Sequence, residues 1–155
     1  MRVKILIAIG LIASALFAWN LHTIFVALPD EADQGPIYRI LFIHVPGAAV
    51  FMFGALAALI ASTMFLVKRD FRYDAFAASI TEVALMGGAI NLITGMIWAR
   101  IIWGMWWAWD ARLTGMLISW LMYAGYLMLR QAIDEPTQRA RFAAAESKQR
   151  GEPRA

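Results

Sequence analysis

A cluster of tryptophans between positions 98 and 109 is the first feature that could do chemistry. Five of the seven Trp residues of the 155-residue sequence fall within these twelve positions. Tryptophan favours the membrane interface, but an aromatic belt spreads its rings over several helix ends at both interfaces. If the segment is helical, four side chains share one face at spacing i, i+3, i+4 and i+7. These residues are Trp103, Trp106, Trp107 and Asp110.

Such a face is a flat, apolar, aromatic shelf, which suits a large planar ligand. Arg100 and Arg112 flank it in the sequence. A guanidinium group pairs well with carboxylates, so these two residues could bind acidic groups on the edge of the ligand. The other interpretation, an ordinary interfacial aromatic belt, stays open at this point.

The sequence contains two histidines, His22 and His44. A histidine in a membrane helix is either a hydrogen-bonded structural residue or a ligand, and an intramembrane ionisable group is a functional hypothesis by default. Pro46 allows two arrangements around His44. Either a helix begins just before Pro46, with Ile37–Ile43 along the interface, or the helix begins near Ile37 and Pro46 lies inside it.

Four apolar segments must position these residues. The sequence is 61% hydrophobic and 16% charged, against about 45–50% and about 25% in soluble domains. A helix needs roughly 20 apolar residues to cross a bilayer. The sequence therefore predicts an all-α integral membrane protein, residues 1–133, followed by a polar, partly disordered cytoplasmic tail, residues 134–155. The predicted transmembrane helices are residues 5–28, 40–67, 76–98 and 113–129.

The basic residues predict the orientation of these helices. Eleven of the fourteen Lys and Arg residues lie in the N-terminus, the second loop and the tail. Because basic residues stay cytoplasmic, both termini are expected inside and the tryptophan segment outside, at the interface between helices three and four. This asymmetry accounts for the net charge of +3 without a nucleic-acid partner. A cleaved signal peptide over residues 1–18 is the alternative for the first segment.

The run from Trp103 to Thr114 resembles the tryptophan-rich signature of the cytochrome c assembly family, of the heme exporter protein C (CcmC) type. Thr94-Gly95 and Trp98 lead into this run as they do in that family. Further upstream, three short segments are similar to the region around the family's first outer histidine. These segments are Gln34-Gly35, Tyr38-Arg39 and His44-Val45-Pro46.

The resemblance implies a protein that is not an enzyme and that holds heme b non-covalently and transiently. On this resemblance the heme would lie at the outer face of the bacterial inner membrane and would pass to a heme chaperone or apocytochrome c. His44 would ligate the iron. The residues that would contact the porphyrin are Trp103, Trp106, Trp107, Trp109 and Asp110. Implied partners are a heme chaperone, ABC-type transporter subunits, and a second membrane subunit or a second copy. A membrane scaffold subunit that binds no heme is the alternative.

Typical members of the family continue for two further helices and carry a second outer histidine between them, whereas this sequence ends at Ala155. The second axial ligand is therefore expected to come from His22, from a partner or second copy, or to be missing. A diheme electron-transfer subunit is not expected, because it would need histidine pairs at both membrane depths and two histidines cannot supply them.

Overall fold

The computed structural model describes residues 2–133, and these residues form four α-helices. They are α1 (Arg2–His22), α2 (Leu41–Lys68), α3 (Phe71–Ile102) and α4 (Ala111–Ile133). A π-helical turn, Thr23–Ala27, extends α1, and a 3-10 helix, Pro36–Ile40, leads into α2. No strand occurs among residues 2–133, which confirms the predicted all-α class. The predicted tail, residues 134–155, lies outside the described residues.

Within residues 2–133, three helical segments are long and apolar enough to cross a membrane: Val3–Ala27, Pro36–Lys68 and Phe71–Ile102. They overlap the first three predicted spans, with different ends. The fourth predicted span lies within α4, which is 23 residues long but less apolar. The count of four spans and their orientation therefore stay predictions.

The boundaries of α3 differ from those that the apolar run predicted. The helix begins at Phe71 rather than Phe76, because the Asp70 carboxylate accepts a hydrogen bond from the Arg72 backbone N–H at 2.9 Å. This contact is an N-cap, which lets a helix begin before its apolar stretch. At the other end α3 continues to Ile102, four residues beyond the predicted Trp98.

Pro46 lies inside α2, which begins at Leu41 and runs without a break to Lys68. Of the two arrangements that the sequence allowed, the structure has the one in which the helix includes the proline. Because proline has no backbone N–H, it cannot donate to the carbonyl of Phe42. His44 therefore lies within the first turn and a half of a continuous helix.

The core of the protein is the antiparallel pair of α2 and α3. Small residues that recur every three or four positions form the contact and let the two backbones approach closely. On α2 the buried residues are Gly47, Phe51, Gly54, Ala58 and Ala61. On α3 they are Ala77, Thr81, Ala84, Gly87, Gly88, Asn91, Leu92, Gly95 and Ala99.

Helix α4 packs against this pair through a few large side chains. The Trp120 indole donates to the Leu85 carbonyl at 2.9 Å, and Tyr123 makes an edge contact with Phe51 at 5.9 Å between ring centroids. Near the far end of α4, the Arg130 guanidinium pairs with the Asp74 carboxylate through both oxygens. This bidentate pair fixes α4 against the start of α3.

Helix α1 makes no extensive contact with the other three helices among the described residues. Every side chain from Val3 to Asn20 is exposed. Such a helix is apolar on all sides and suits a lipid environment. The candidate site therefore depends on α2, α3, α4 and their connections.

Candidate functional site

His44 lies at the end of the α2–α3 pair that is remote from Lys68, and its ring packs against α3 at Gly95. A Cβ atom at position 95 would lie 3.1 Å from His44 Cε1, closer than ordinary van der Waals contact. The glycine therefore provides the space that the imidazole occupies. A side chain at this position would displace the ring.

Both ring nitrogens of His44 have partners on α3. Nδ1 lies 3.0 Å from the Thr94 hydroxyl oxygen, and Nε2 lies 3.1 Å from the Asn91 amide nitrogen. The same Asn91 nitrogen donates to the backbone carbonyl of His44 at 3.1 Å. His44 is therefore held by two side chains that are three residues apart on one helix.

A cavity of about 350 Å³ opens beside His44. Its volume is within the range of about 300–1,000 Å³ that is typical of small-molecule sites. The walls are largely apolar, and the polar side chains among them are few: His44, Asn91, Asp110 and Arg112. The other lining residues are Ile40, Leu41, Leu92, Gly95, Trp98, Trp103, Leu113 and Met116.

The tryptophan segment closes one side of this cavity, but not as the helical shelf that the sequence predicted. Helix α3 ends at Ile102, and Gly104 then takes a positive φ of 75°. Residues 103–110 form a turn and an irregular stretch. The prediction that Trp103, Trp106, Trp107 and Asp110 share one helical face is therefore wrong, because the chain leaves the helix at the glycine turn.

The tryptophans occupy different environments as a result. Trp103 lines the cavity and makes an edge contact with Trp98 at 5.0 Å between ring centroids. Trp106, Trp107 and Trp109 are not among the lining residues. Trp107 is half-buried against Trp109, whose own side chain is 80% exposed. Two rings, Trp98 and Trp103, thus line the cavity, and the exposed rings of Trp106 and Trp109 form an outer surface.

Asp110 has a structural task that the sequence analysis did not assign to it. Its carboxylate accepts a hydrogen bond from the Leu113 backbone N–H at 2.8 Å, so it is the N-cap of α4. Its second oxygen lies 3.7 Å from the Arg112 guanidinium. The Arg112 side chain is 85% exposed and remains accessible to an acidic group.

Arg100, the other predicted partner for carboxylates, is engaged within the segment itself. Its guanidinium donates to the Gly104 carbonyl and lies 6.0 Å from the centroid of the Trp106 ring. It therefore stabilises the turn that follows α3. Only Arg112 of the two lines the cavity.

His22 is not among the residues that line the cavity. It lies at the end of α1 and is exposed. The structure brings His44, Trp103 and Asp110 together, and leaves His22 apart from them.

Sequence reasoning gave no role to Asn91, and it used Thr94 and Trp98 only as parts of the tryptophan cluster and of the family resemblance. Trp98 donates to the Gln34 side-chain oxygen at 3.2 Å, which ties the first loop to the end of α3. The signal that could have identified Asn91 and Thr94 is their i, i+3 spacing, which places two polar groups on one face of an apolar helix.

Comparisons with known proteins agree on one family. The sequence matches the family model described as heme exporter protein C over residues 1–146. Heme exporter protein C of Bradyrhizobium diazoefficiens is 41% identical over 140 residues, which are 90% of this chain and 49% of that protein. The protein of the same name from Paracoccus denitrificans is 38% identical over 112 residues, 72% of this chain and 46% of its own.

Heme exporter protein C of Escherichia coli strain K12 is 35% identical over 108 residues, which are 69% of this chain and 44% of that protein. The chain thus spans about half the length of the curated relatives that it matches.

Proposed function

Because the chain belongs to the heme exporter protein C family, we propose that it holds heme at the outer face of the bacterial inner membrane during cytochrome c maturation. Like the heme exporters that it resembles, it is a membrane protein and not an enzyme. The heme is cargo: heme b, bound non-covalently and only until it passes to a chaperone or to apocytochrome c.

The observation that carries this proposal is the presence of His44 in the wall of an apolar cavity that Trp103 and Arg112 also line. These residues fit the chemistry of heme. A neutral imidazole is a common axial ligand of heme iron. Apolar and aromatic walls suit the porphyrin faces, and a guanidinium group pairs with the propionates.

The outer tryptophans and Asp110 complete the proposed site in different ways. Trp106 and Trp109 are 56% and 80% exposed, so their rings offer contact area to the porphyrin edge or to a protein that receives it. Trp107 makes an edge contact with the Trp109 ring. Asp110 acts by capping α4 and by keeping Arg112 beside the cavity.

The second axial position is open to three sources: a partner subunit, a second copy of this chain, or His22. Helix α1 is exposed along its length, so its position relative to the cavity depends on what surrounds it. The proposed partners are a heme chaperone at the outer face and ABC-type transporter subunits with which the chain assembles in the bilayer.

The experiment that tests the proposal is an absorption spectrum of the purified chain titrated with hemin in detergent. We expect a Soret band that saturates at one heme per chain and that has the position of an imidazole-ligated iron. Absence of a saturable band would contradict heme binding by this chain. That result would favour the alternative, a scaffold subunit of a cytochrome c biogenesis or transporter complex.

The membrane orientation makes a separate prediction. Lys68 and Arg69 lie where α2 ends, close to the start of α3. The tryptophan segment follows the other end of α3, on the opposite side of the helix pair. Because basic residues stay cytoplasmic, a reporter that is active only outside works when fused after Glu31 or Met105. The same reporter fails after Arg69 or Arg141. Activity after Arg69 would show that the proposed orientation is wrong.

A further inference from the structure

The hydrogen bonds around His44 determine which of its nitrogens carries the hydrogen. The Thr94 hydroxyl lies 2.6 Å from the Ile90 carbonyl oxygen. A carbonyl only accepts, so the single hydroxyl hydrogen of Thr94 is used in that bond. What remains on the Thr94 oxygen is a lone pair. The contact of 3.0 Å with His44 Nδ1 therefore requires that Nδ1 carries the hydrogen.

The Asn91 side chain leads to the same tautomer by an independent route. Its terminal atom lies 3.1 Å from the His44 backbone carbonyl, so this atom must be the amide nitrogen rather than the oxygen. The nitrogen has a second hydrogen and no acceptor capacity. Its contact of 3.1 Å with Nε2 is consistent only with a lone pair on Nε2. Both contacts thus assign the hydrogen to Nδ1.

We propose that Asn91 and Thr94 form a latch that holds His44 as its Nδ1–H tautomer. In this latch the Nε2 lone pair accepts a hydrogen bond from the Asn91 amide, so heme iron and this amide compete for the same nitrogen atom. This inference rests on the proposed function. Thr94 and Asn91 are positioning residues that act through His44. Thr94 favours binding because it keeps the lone pair on Nε2, the nitrogen that faces Asn91, and Asn91 lines the cavity whereas Thr94 does not. Asn91 opposes binding because it occupies that lone pair.

The latch explains how a histidine can hold heme transiently. Iron ligation leaves one Asn91 amide hydrogen without a partner, and Asn91 is only 8% exposed, so water has little access to it. A buried donor without an acceptor is unfavourable. Return of the amide to Nε2 therefore favours release of heme, with no change in the fold.

The two positioning residues predict effects of opposite sign. Asn91→Leu removes the competing amide and keeps the branched shape and the number of side-chain heavy atoms, and heme affinity rises about three- to ten-fold, the equivalent of one hydrogen bond. Thr94→Val removes the acceptor for Nδ1–H, and affinity falls about ten-fold, as is typical when the outer partner of a metal-binding histidine is lost. Hemin titration and the rate of hemin transfer to apomyoglobin measure both effects.

The chain offers matched controls for both substitutions. Asn20 bonds only to the Leu16 carbonyl of its own helix, and Thr63 bonds only to the Leu59 carbonyl. Asn20→Leu and Thr63→Val therefore leave heme affinity unchanged. Asn91→Ala, which adds no bulk, replaces the leucine variant if that variant does not fold. An unchanged or lower affinity in the folded Asn91 variant would overturn the latch.

The tautomer can be read in the heme-free protein by ¹⁵N NMR of histidine-labelled chain. The sequence has two histidines, so His22→Ala assigns the His44 signals. We expect protonated Nδ1 and unprotonated Nε2 in the parent, and loss of this preference in Thr94→Val. Protonated Nε2 in the parent would overturn the latch. If the parent binds heme and Asn91→Leu binds it with equal affinity, the latch alone is overturned. If the parent binds no heme, the proposed function is overturned too.

Discussion

Replacing His44 by alanine removes or strongly shifts the Soret band of the protein after hemin loading, whereas replacing Trp106 by alanine only weakens it. The iron–imidazole bond is localised in one side chain, so no neighbouring residue can replace it. The contact of the porphyrin with aromatic residues is shared among several rings. Loss of one ring that is 56% exposed costs about 0.5–1.5 kcal/mol, a factor of about ten or less in affinity.

His22→Ala is the matched control, since it removes the other histidine, which is exposed and does not line the cavity. Heme content and the Soret maximum should stay as in the parent if a partner or second copy supplies the sixth ligand. Imidazole added to His44→Gly should restore the band, which separates loss of a ligand from loss of the fold. Equal heme content in His44→Ala and the parent would exclude His44 from the site.

The sequence predicted the helices better than it predicted their ends. Uninterrupted apolar runs are visible without a structure, and so is the small-residue pattern by which α2 and α3 pack. Helix ends depend on single polar contacts. The Asp70 cap extends α3 towards the N-terminus, and the turn at Gly104 separates Trp103 from the tryptophans that follow it. An argument from helical periodicity cannot detect that turn.

Single residues of the candidate site could be predicted from the sequence, but the contacts between them could not. His44 and Trp103 were identified from residue type and family resemblance. Their neighbours Asn91 and Thr94 are 47 and 50 positions from His44, and the register between α2 and α3 decides whether they meet it. That register follows from which small residues face each other, and several registers would bury a similar set.

Gly87→Ala tests this register directly, and we expect it to destabilise the protein. A Cβ atom at position 87 would lie 2.7 Å from Val50 Cγ1 and 2.9 Å from the Gly47 carbonyl oxygen. The carbonyl belongs to the backbone of α2, so the two helices must move apart. Overpacking of this kind costs about 1–3 kcal/mol.

The same substitution at Gly115 and Gly125 is the control, because an added Cβ meets nothing within 4 Å at either position. Alanine in an exposed helical position is favoured over glycine by about 0.4–1 kcal/mol. Thermal unfolding in detergent, followed by circular dichroism, should therefore give a lower midpoint for Gly87→Ala and an equal or higher midpoint for the controls. Equal midpoints for all three variants would show that α2 and α3 do not pack in this register.

Gly87→Ala should also weaken heme binding, although residue 87 does not line the cavity. The new methyl group at position 87 would push the backbone of Gly47, which is itself close to Asn91. A Cβ atom at position 47 would lie 3.3 Å from the Asn91 backbone nitrogen. The Gly47–Gly87 contact is therefore adjacent to the contact of His44 with Asn91. Separation of the helices there also lengthens the contact of Thr94 with His44 Nδ1 and moves His44 away from the cavity walls on α3. This displacement of the ligand outweighs the release of Nε2 from Asn91, so the net effect is weaker binding. Hemin titration below the unfolding midpoint should show lower affinity in Gly87→Ala and parent-like affinity in Gly125→Ala, because an added Cβ at Gly125 meets nothing within 4 Å and moves no helix.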